Sequence, residues 1–424
     1  MRIFKINSAI VKGSFILLIL FNAYNALNFF FHFSMARLLS VEDYRVLGIL
    51  SSFIYIFSIF SESVQTVVVK YTSNENDLGK IKNIMKRTFK KSFPISISLY
   101  AIYIIICFSL SYLIKVSFSL LLFNGLLLLI FFFLPITRGV LQGRKQFKAM
   151  GFNMLIEAIV KLTLAIFLVI IFTGTTKTVY GAATAMILSI LISSFLSLIP
   201  LRKIIISKEK YAEARGMYGY SKPVFTILFI LMLFFNMDLF IANIVFNKEL
   251  AGAYTIASIL GKTIFFGTSG IAKAMFPLSS TQEKNASTEK RAKNIFLNAL
   301  AIMSICIFFA LLFIYLFPSI IINLFTGKNI PEAAEVVFYT AFAVSLISLT
   351  SLLLFYKLSI NSTNRYYLLF IPLVIQAISL YLFSSSLKEF SLAFIASSAF
   401  FMIFSYFLLR KSSNFFKSPI NKQK

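Results

Sequence analysis

Apolar runs of about 20 residues follow one another along almost the whole chain, and no other property limits its fold so tightly. A run of that length crosses a hydrocarbon core of roughly 30 Å as a helix, whose backbone groups bond to one another. We place about twelve spans, near residues 11–35, 45–69, 93–114, 117–137, 152–173, 179–199, 221–246, 252–276, 294–317, 334–356, 366–384 and 390–409. Barrel strands are excluded, because they are short and alternate in polarity. Composition agrees: the 424 residues are 59% hydrophobic and 13% charged, against about 25% charged in soluble domains. No soluble domain is left over, and the expected fold class is an all-α polytopic membrane protein. The first run follows Arg2, Lys5 and Lys12 as in a signal peptide, but its length and lack of a small-residue cleavage site make it a retained anchor.

A net charge of +26 could mean nucleic acid. The placement of the basic residues argues for the membrane instead. Lys80, Lys82, Lys86, Arg87, Lys90 and Lys91 lie between the second and third spans, and Arg138, Arg144, Lys145 and Lys148 between the fourth and fifth. Further basic runs follow the sixth and eighth spans and fill the tail, whereas Arg37, Arg45 and single lysines are all that the alternate loops carry. This asymmetry predicts cytoplasmic N- and C-termini. Membrane lipids, through anionic headgroups, are the partners it implies, and no nucleic acid.

The halves repeat. "LSVEDYRVLGIL" from Leu39 and "FNKELAGAYTIASIL" from Phe246 place Glu42 and Glu249 ahead of an apolar helix, 207 residues apart. We therefore expect an N-terminal six-helix lobe over 1–200, a cytoplasmic linker over 201–220, a C-terminal six-helix lobe over 221–410 and a basic cytoplasmic tail over 411–424. An even number of spans gives both lobes the same orientation, so a pseudo-twofold axis along the membrane normal would relate them around a central cavity.

Polar groups inside spans are costly and mark candidate sites. Asn22, Asn25, Asn28 and His32 are spaced by three, three and four residues, one face of the first span. Singly, each amide reads as interhelical glue, and His32 as a satisfied structural histidine or a titrating group. Together they suggest a hydrated lining. Ser51, Ser58, Glu62 and Gln65 share a face of the second span, as Ser258, Lys262, Ser269 and Lys273 do of the eighth. Glu157 and Lys161, beside Asn153 in the fifth span, have the i,i+4 spacing of an ion pair, and the seventh adds Asn236, Asp238 and Asn243. The lysines can serve an anion or simply balance Glu62, Glu157 and Asp238.

Catalytic motifs fail on inspection. Gly261-Lys262-Thr263 ends like a phosphate-binding loop, but Ile256 stands where the first glycine is required and the tripeptide lies within a span. Neither a Gly-x-Ser-x-Gly elbow nor a His-Glu-x-x-His zinc motif occurs. Cys107 and Cys306 lack metal-type spacing, and no cofactor is implied. Glu42 and Asp43 read as the solvated start of a helix.

"MARLLSVEDYRVLGIL" (Met35 to Leu50), "RGVLQGRKQF" (Arg138 to Phe147) and "NMDLFIANIVFNKELAGAYTIASIL" (Asn236 to Leu260) resemble the polysaccharide repeat-unit flippases, often called Wzx-type, of the multidrug/oligosaccharidyl-lipid/polysaccharide exporter superfamily. That family usually has glycine where Arg45 stands. The resemblance implies alternating access by two lobes in a plasma (inner) membrane, and no enzyme. Its substrate would be a polyprenyl-diphosphate-linked oligosaccharide, with glycan polymerases and glycosyltransferases as partner proteins. On that reading Lys262, Lys273, Arg37 and Lys161 attract the diphosphate, the amides and serines, Ser58 and Gln65 included, solvate sugar, and Glu62, Glu157 and Asp238 balance charge or bind a coupling ion. Other readings are a cation or drug exporter, a membrane-bound polymerase or ligase, and an assembly scaffold.

Overall fold

The computed structural model describes residues 8–73, 75–175, 177–212, 221–279, 286–360 and 365–410. The basic tail and the linker residues 213–220 lie outside them. Every regular element among these residues is helical: α1 (Ser8–Leu38), α2 (Val41–Thr72), α3 (Leu78–Leu113), α4 (Phe118–Ile130), α5 (Phe133–Gly143), α6 (Phe147–Ile171), α7 (Thr178–Leu196), α8 (Arg202–Ile206), α9 (Ser221–Val245), α10 (Lys248–Ser279), α11 (Ala286–Leu316), α12 (Pro318–Thr326), α13 (Pro331–Ser359), α14 (Phe370–Leu382) and α15 (Leu387–Arg410). Each expected span falls on a helix, the fourth on α4 and α5 together. Ten stretches among the described residues are long and apolar enough to cross a membrane, and Tyr366–Leu382 is a shorter apolar one. The chain is a multi-pass membrane protein.

Local chemistry sets the helix ends. Ser40 caps α2, its hydroxyl accepting from Asp43 N at 3.0 Å, and Asn247 accepts from Leu250 N at 2.8 Å at the start of α10. These caps stand 207 residues apart, α2 and α10 are both 32 residues long, and Glu42 and Glu249 occupy their first turns, where acids suit the helix dipole. The break between α4 and α5 frees a carbonyl within the membrane, and Ser61 Oγ donates to it, Phe131 O, at 2.7 Å.

The chain divides into two compact units. Unit 1 holds Met1–Phe225 with Phe246–Thr255 and Phe325–Lys328; unit 2 holds Thr226–Val245, Ile256–Leu324 and Asn329–Lys424. In unit 1, α6 packs between α1 and α7, and α2 lies along α5. Lipid tails are as apolar as leucine, so close fit and small residues must hold such helices together. Gly181, Ala182, Ala183 and Ala185 of α7 are buried, and a Cβ on Gly181 would lie 3.0 Å from the backbone of Leu168 in α6. In unit 2, α13 packs on α11 and α15, and α15 on α14. Large apolar side chains face outward from both units, Phe108 at 71% exposure and Phe309 at 62%, as a lipid-facing surface requires.

Candidate functional site

Two buried polar clusters form, one in each unit. In unit 1, α5 carries Arg138 into the helix packing. Its guanidinium donates to Glu157 Oε2 at 2.6 Å, to Asn153 Oδ1 at 2.8 Å and to Ser193 Oγ at 3.1 Å. Asn153 Nδ2 donates onward to Ser193 O at 2.8 Å, and Tyr24 Oη to Glu157 Oε1 at 3.3 Å. The planar fork of arginine suits this work, holding several acceptors on two helices at once. One turn further along the same pair of helices, Asn28 Nδ2 donates to Tyr24 O at 2.9 Å and Lys161 Nζ donates to Asn28 Oδ1. Lys161 Nζ also stands 4.9 Å from the centre of the Phe31 ring, within cation–π range.

These contacts correct two expectations. Arg138, counted with a loop, is a half-buried member of helix α5. Glu157, spaced to pair with Lys161, bonds to Arg138 instead, and Lys161 turns to an amide. Sequence reading missed Arg138, Tyr24 and Ser193; the available signal was Glu157, a mid-span acid that a base on a neighbouring helix should balance.

Along α1 the amide face divides. Asn22 is exposed, Asn28 meets Lys161, and His32 is buried with Nε2 3.5 Å from Tyr55 Oη. Asn25 Nδ2 and His32 Nδ1 are buried without a hydrogen-bond partner. Of the α2 face, Ser58 Oγ donates to Tyr55 O at 2.7 Å, Gln65 Nε2 to Gln142 Oε1 at 2.8 Å, and Glu62 is exposed, as Arg37 is on α1.

In unit 2, Asp238 of α9 is fully buried against α10. Lys262 Nζ donates to its Oδ1 at 3.0 Å and Ser258 Oγ to its Oδ2 at 2.5 Å. Lys262 retains 2% exposure and also stands 5.1 Å from the centre of the Phe235 ring. Asn236 and Asn243, both buried, donate to the carbonyls of Met232 and Leu239 on their own helix. Lys273, on the same face as Lys262 in sequence, is exposed. Gln376, also missed, donates from α14 to Phe234 O at 3.0 Å. Charge-neutral pairs and amides of this kind can hold polar or anionic groups. Among the described residues no three His, Cys, Asp or Glu side chains gather as a metal site would need.

Residues 34–335, more than half of the chain, match the family described as polysaccharide biosynthesis protein. The chain belongs to that family. No curated protein matches. Solved structures do. A multidrug resistance MATE transporter of the MOP superfamily in its inward-facing conformation aligns with TM-score 0.69 at 14% identity, over 92% of this chain and 95% of its own. The outward-facing conformation of a multidrug resistance MATE transporter aligns with TM-score 0.64 at 16%, covering 95% and 94%. A MOP superfamily transporter from Pyrococcus furiosus, for which a reversed polarity of the binding pocket is said to suggest a different function, aligns with TM-score 0.67 at 16%, covering 95% and 94%. The fold of this family member is therefore the two-lobed MATE fold.

Proposed function

We propose that the protein is an exporter that moves a polyprenyl-diphosphate-linked oligosaccharide from the cytoplasmic to the outer leaflet of the plasma (inner) membrane, by alternating access of its two lobes and with both termini in the cytoplasm. Lys161 carries the proposal. It lies within a membrane-spanning helix, and its hydrogen-bond partner is the neutral amide of Asn28. A lysine held this way keeps its charge available to a diphosphate. Membership in a polysaccharide biosynthesis family and a transporter fold support the same reading.

Lys262, Lys273 and Arg37 extend the cationic set, with Lys262 balanced by Asp238 until substrate arrives. Asn22, Asn25, Asn28, Ser58 and Gln65 offer groups that can solvate sugar hydroxyls. The buried acids favour this over cation export, because Glu157 is occupied by Arg138 and Asp238 by Lys262.

The test is the sidedness of lipid-linked oligosaccharides in depleted cells, read by a membrane-impermeant glycan-modifying enzyme. Accumulation on the cytoplasmic leaflet, reversed by the wild type but not by an equally abundant Lys161→Met variant, is expected. Normal arrival of unpolymerised glycan at the outer leaflet would overturn export and favour a polymerase, ligase or scaffold.

A further inference from the structure

On the side where α1, α3 and α9 end, the outer side under the orientation proposed above, two lysines cap helix ends reciprocally. Lys115, in the turn after α3, donates to Phe246 O at 3.2 Å, just beyond α9. Lys328, in the turn after α12, donates to Leu39 O, just beyond α1, and to Ala36 O at 3.5 Å. Leu39 and Phe246 are 207 residues apart, the offset of the repeat. Each half of the sequence thus supplies the lysine that neutralises the carbonyl end of the other half's first helix. Both turns contain left-handed backbone, at Lys115 (φ 54°) and at Gly327 (φ 68°), next to Lys328.

Close packing surrounds the caps. A Cβ on Gly252 would lie 2.6 Å from Val41 Cγ1 and 2.8 Å from Val41 O, so only glycine lets α10 approach the start of α2 this closely. The Phe325 ring sits 6.0 Å from Phe29, 6.1 Å from Phe33 and 6.3 Å from Tyr44. Lys248 Nζ lies 3.6 Å from Glu42 Oε2. Yet the segments Phe246–Thr255 and Phe325–Lys328 are short excursions into unit 1, and the chain on the far side of each belongs to unit 2. Helix-end carbonyls at a membrane surface can take water in place of an ammonium, so these caps can be exchanged reversibly. Burial lowers the pKa of the Lys328 ammonium while the charge of Asp43 raises it, as befits a half-desolvated group.

We infer that Lys115 and Lys328 form a reciprocal latch that is released and remade in each transport cycle, with residues 246–255 and 325–328 lifting from the α1–α2 corner. This rests on the transporter reading, and two assays separate them. In the full chain carrying Cys306→Ser, Glu42→Cys and Lys248→Cys are joined from outside by a reversible bifunctional methanethiosulfonate. Glycan flipping is expected to fall to background and return on reduction; flipping at the unjoined rate overturns the latch. The second assay needs no substrate: labelling of Val41→Cys by an impermeant maleimide should rise about tenfold in Lys115→Met/Lys328→Met. Unchanged labelling overturns the latch. If labelling rises while even the unjoined protein moves no glycan, the export reading fails and the latch stands.

Discussion

Replacing Lys262 with methionine should destabilise the protein severely, and the reason separates structure from function. The ammonium lies 3.0 Å from Asp238 Oδ1, with Lys262 at 2% exposure and Asp238 at 0%. Deleting it strands a buried carboxylate, which costs about 3–5 kcal/mol. Asp238→Asn strands the ammonium in turn, with a similar cost. The double variant Lys262→Met/Asp238→Asn removes both charges, and the amide oxygen that replaces the carboxylate can still accept from Ser258, so its loss should be well below the sum of the singles. A coupling of about 3 kcal/mol or more is expected. Far-UV circular dichroism during titration with a denaturing detergent in mixed micelles measures it. A double variant as unstable as Lys262→Met alone would refute the reasoning. Under the proposed function, the sidedness assay on the double variant then decides what Lys262 does: retained transport makes the pair a structural staple, whereas lost transport in a stable protein leaves the charge itself as the requirement.

Arg138→Met should cost about 3–5 kcal/mol by stranding Glu157, and adding Glu157→Gln should recover most of it in the same detergent titration. Arg45 donates from its buried guanidinium to Ile114 O at 3.0 Å and Lys115 O at 3.1 Å. Arg45→Met should therefore cost about 2 kcal/mol and speed hydrogen exchange at the end of α3. On the opposite side the linker is strapped to α3: Lys210 bonds to Asp77 and Lys86 to Glu209, each at 2.7 Å, and both carboxyls are held below their usual pKa chiefly by those hydrogen bonds, while Asp77 raises Lys210. Lowered acids stabilise above their ordinary values and lose that contribution as pH falls through the folded ones; the raised lysine does the reverse at high pH. A fluorophore on Lys208→Cys should hence report a docked strap between about pH 4 and 10 and release outside that window or in about 1 M salt. Indifference to salt would count against it.

Span positions were legible because an apolar run is a direct count, and the 207-residue offset was legible because a cap followed by an acid repeats where α2 and α10 begin. Depth and partner were not. Lys262 and Lys273 share a helical phase, but eleven residues separate them, roughly 16 Å along the axis, so one is buried and the other exposed. Hydropathy ends a span at its first charge and thereby misplaced Arg138. Spacing permitted a Glu157–Lys161 pair, but it could not see that a guanidinium on α5 reaches Glu157, Asn153 and Ser193 together. Asn236 and Asn243 each donate to a carbonyl one turn back in α9, a bond that spacing along the chain does not reveal.

The basic residues that break the charge asymmetry have a local cause. Arg45 meets the carbonyls that end α3, Lys115 those that end α9, and Lys328 those that end α1. A helix terminus carries about half a negative charge, so a cation there is drawn by that end as well as by the membrane potential or anionic lipid. These three residues therefore do not count against the rule that a bare tally of loop charges has them violate.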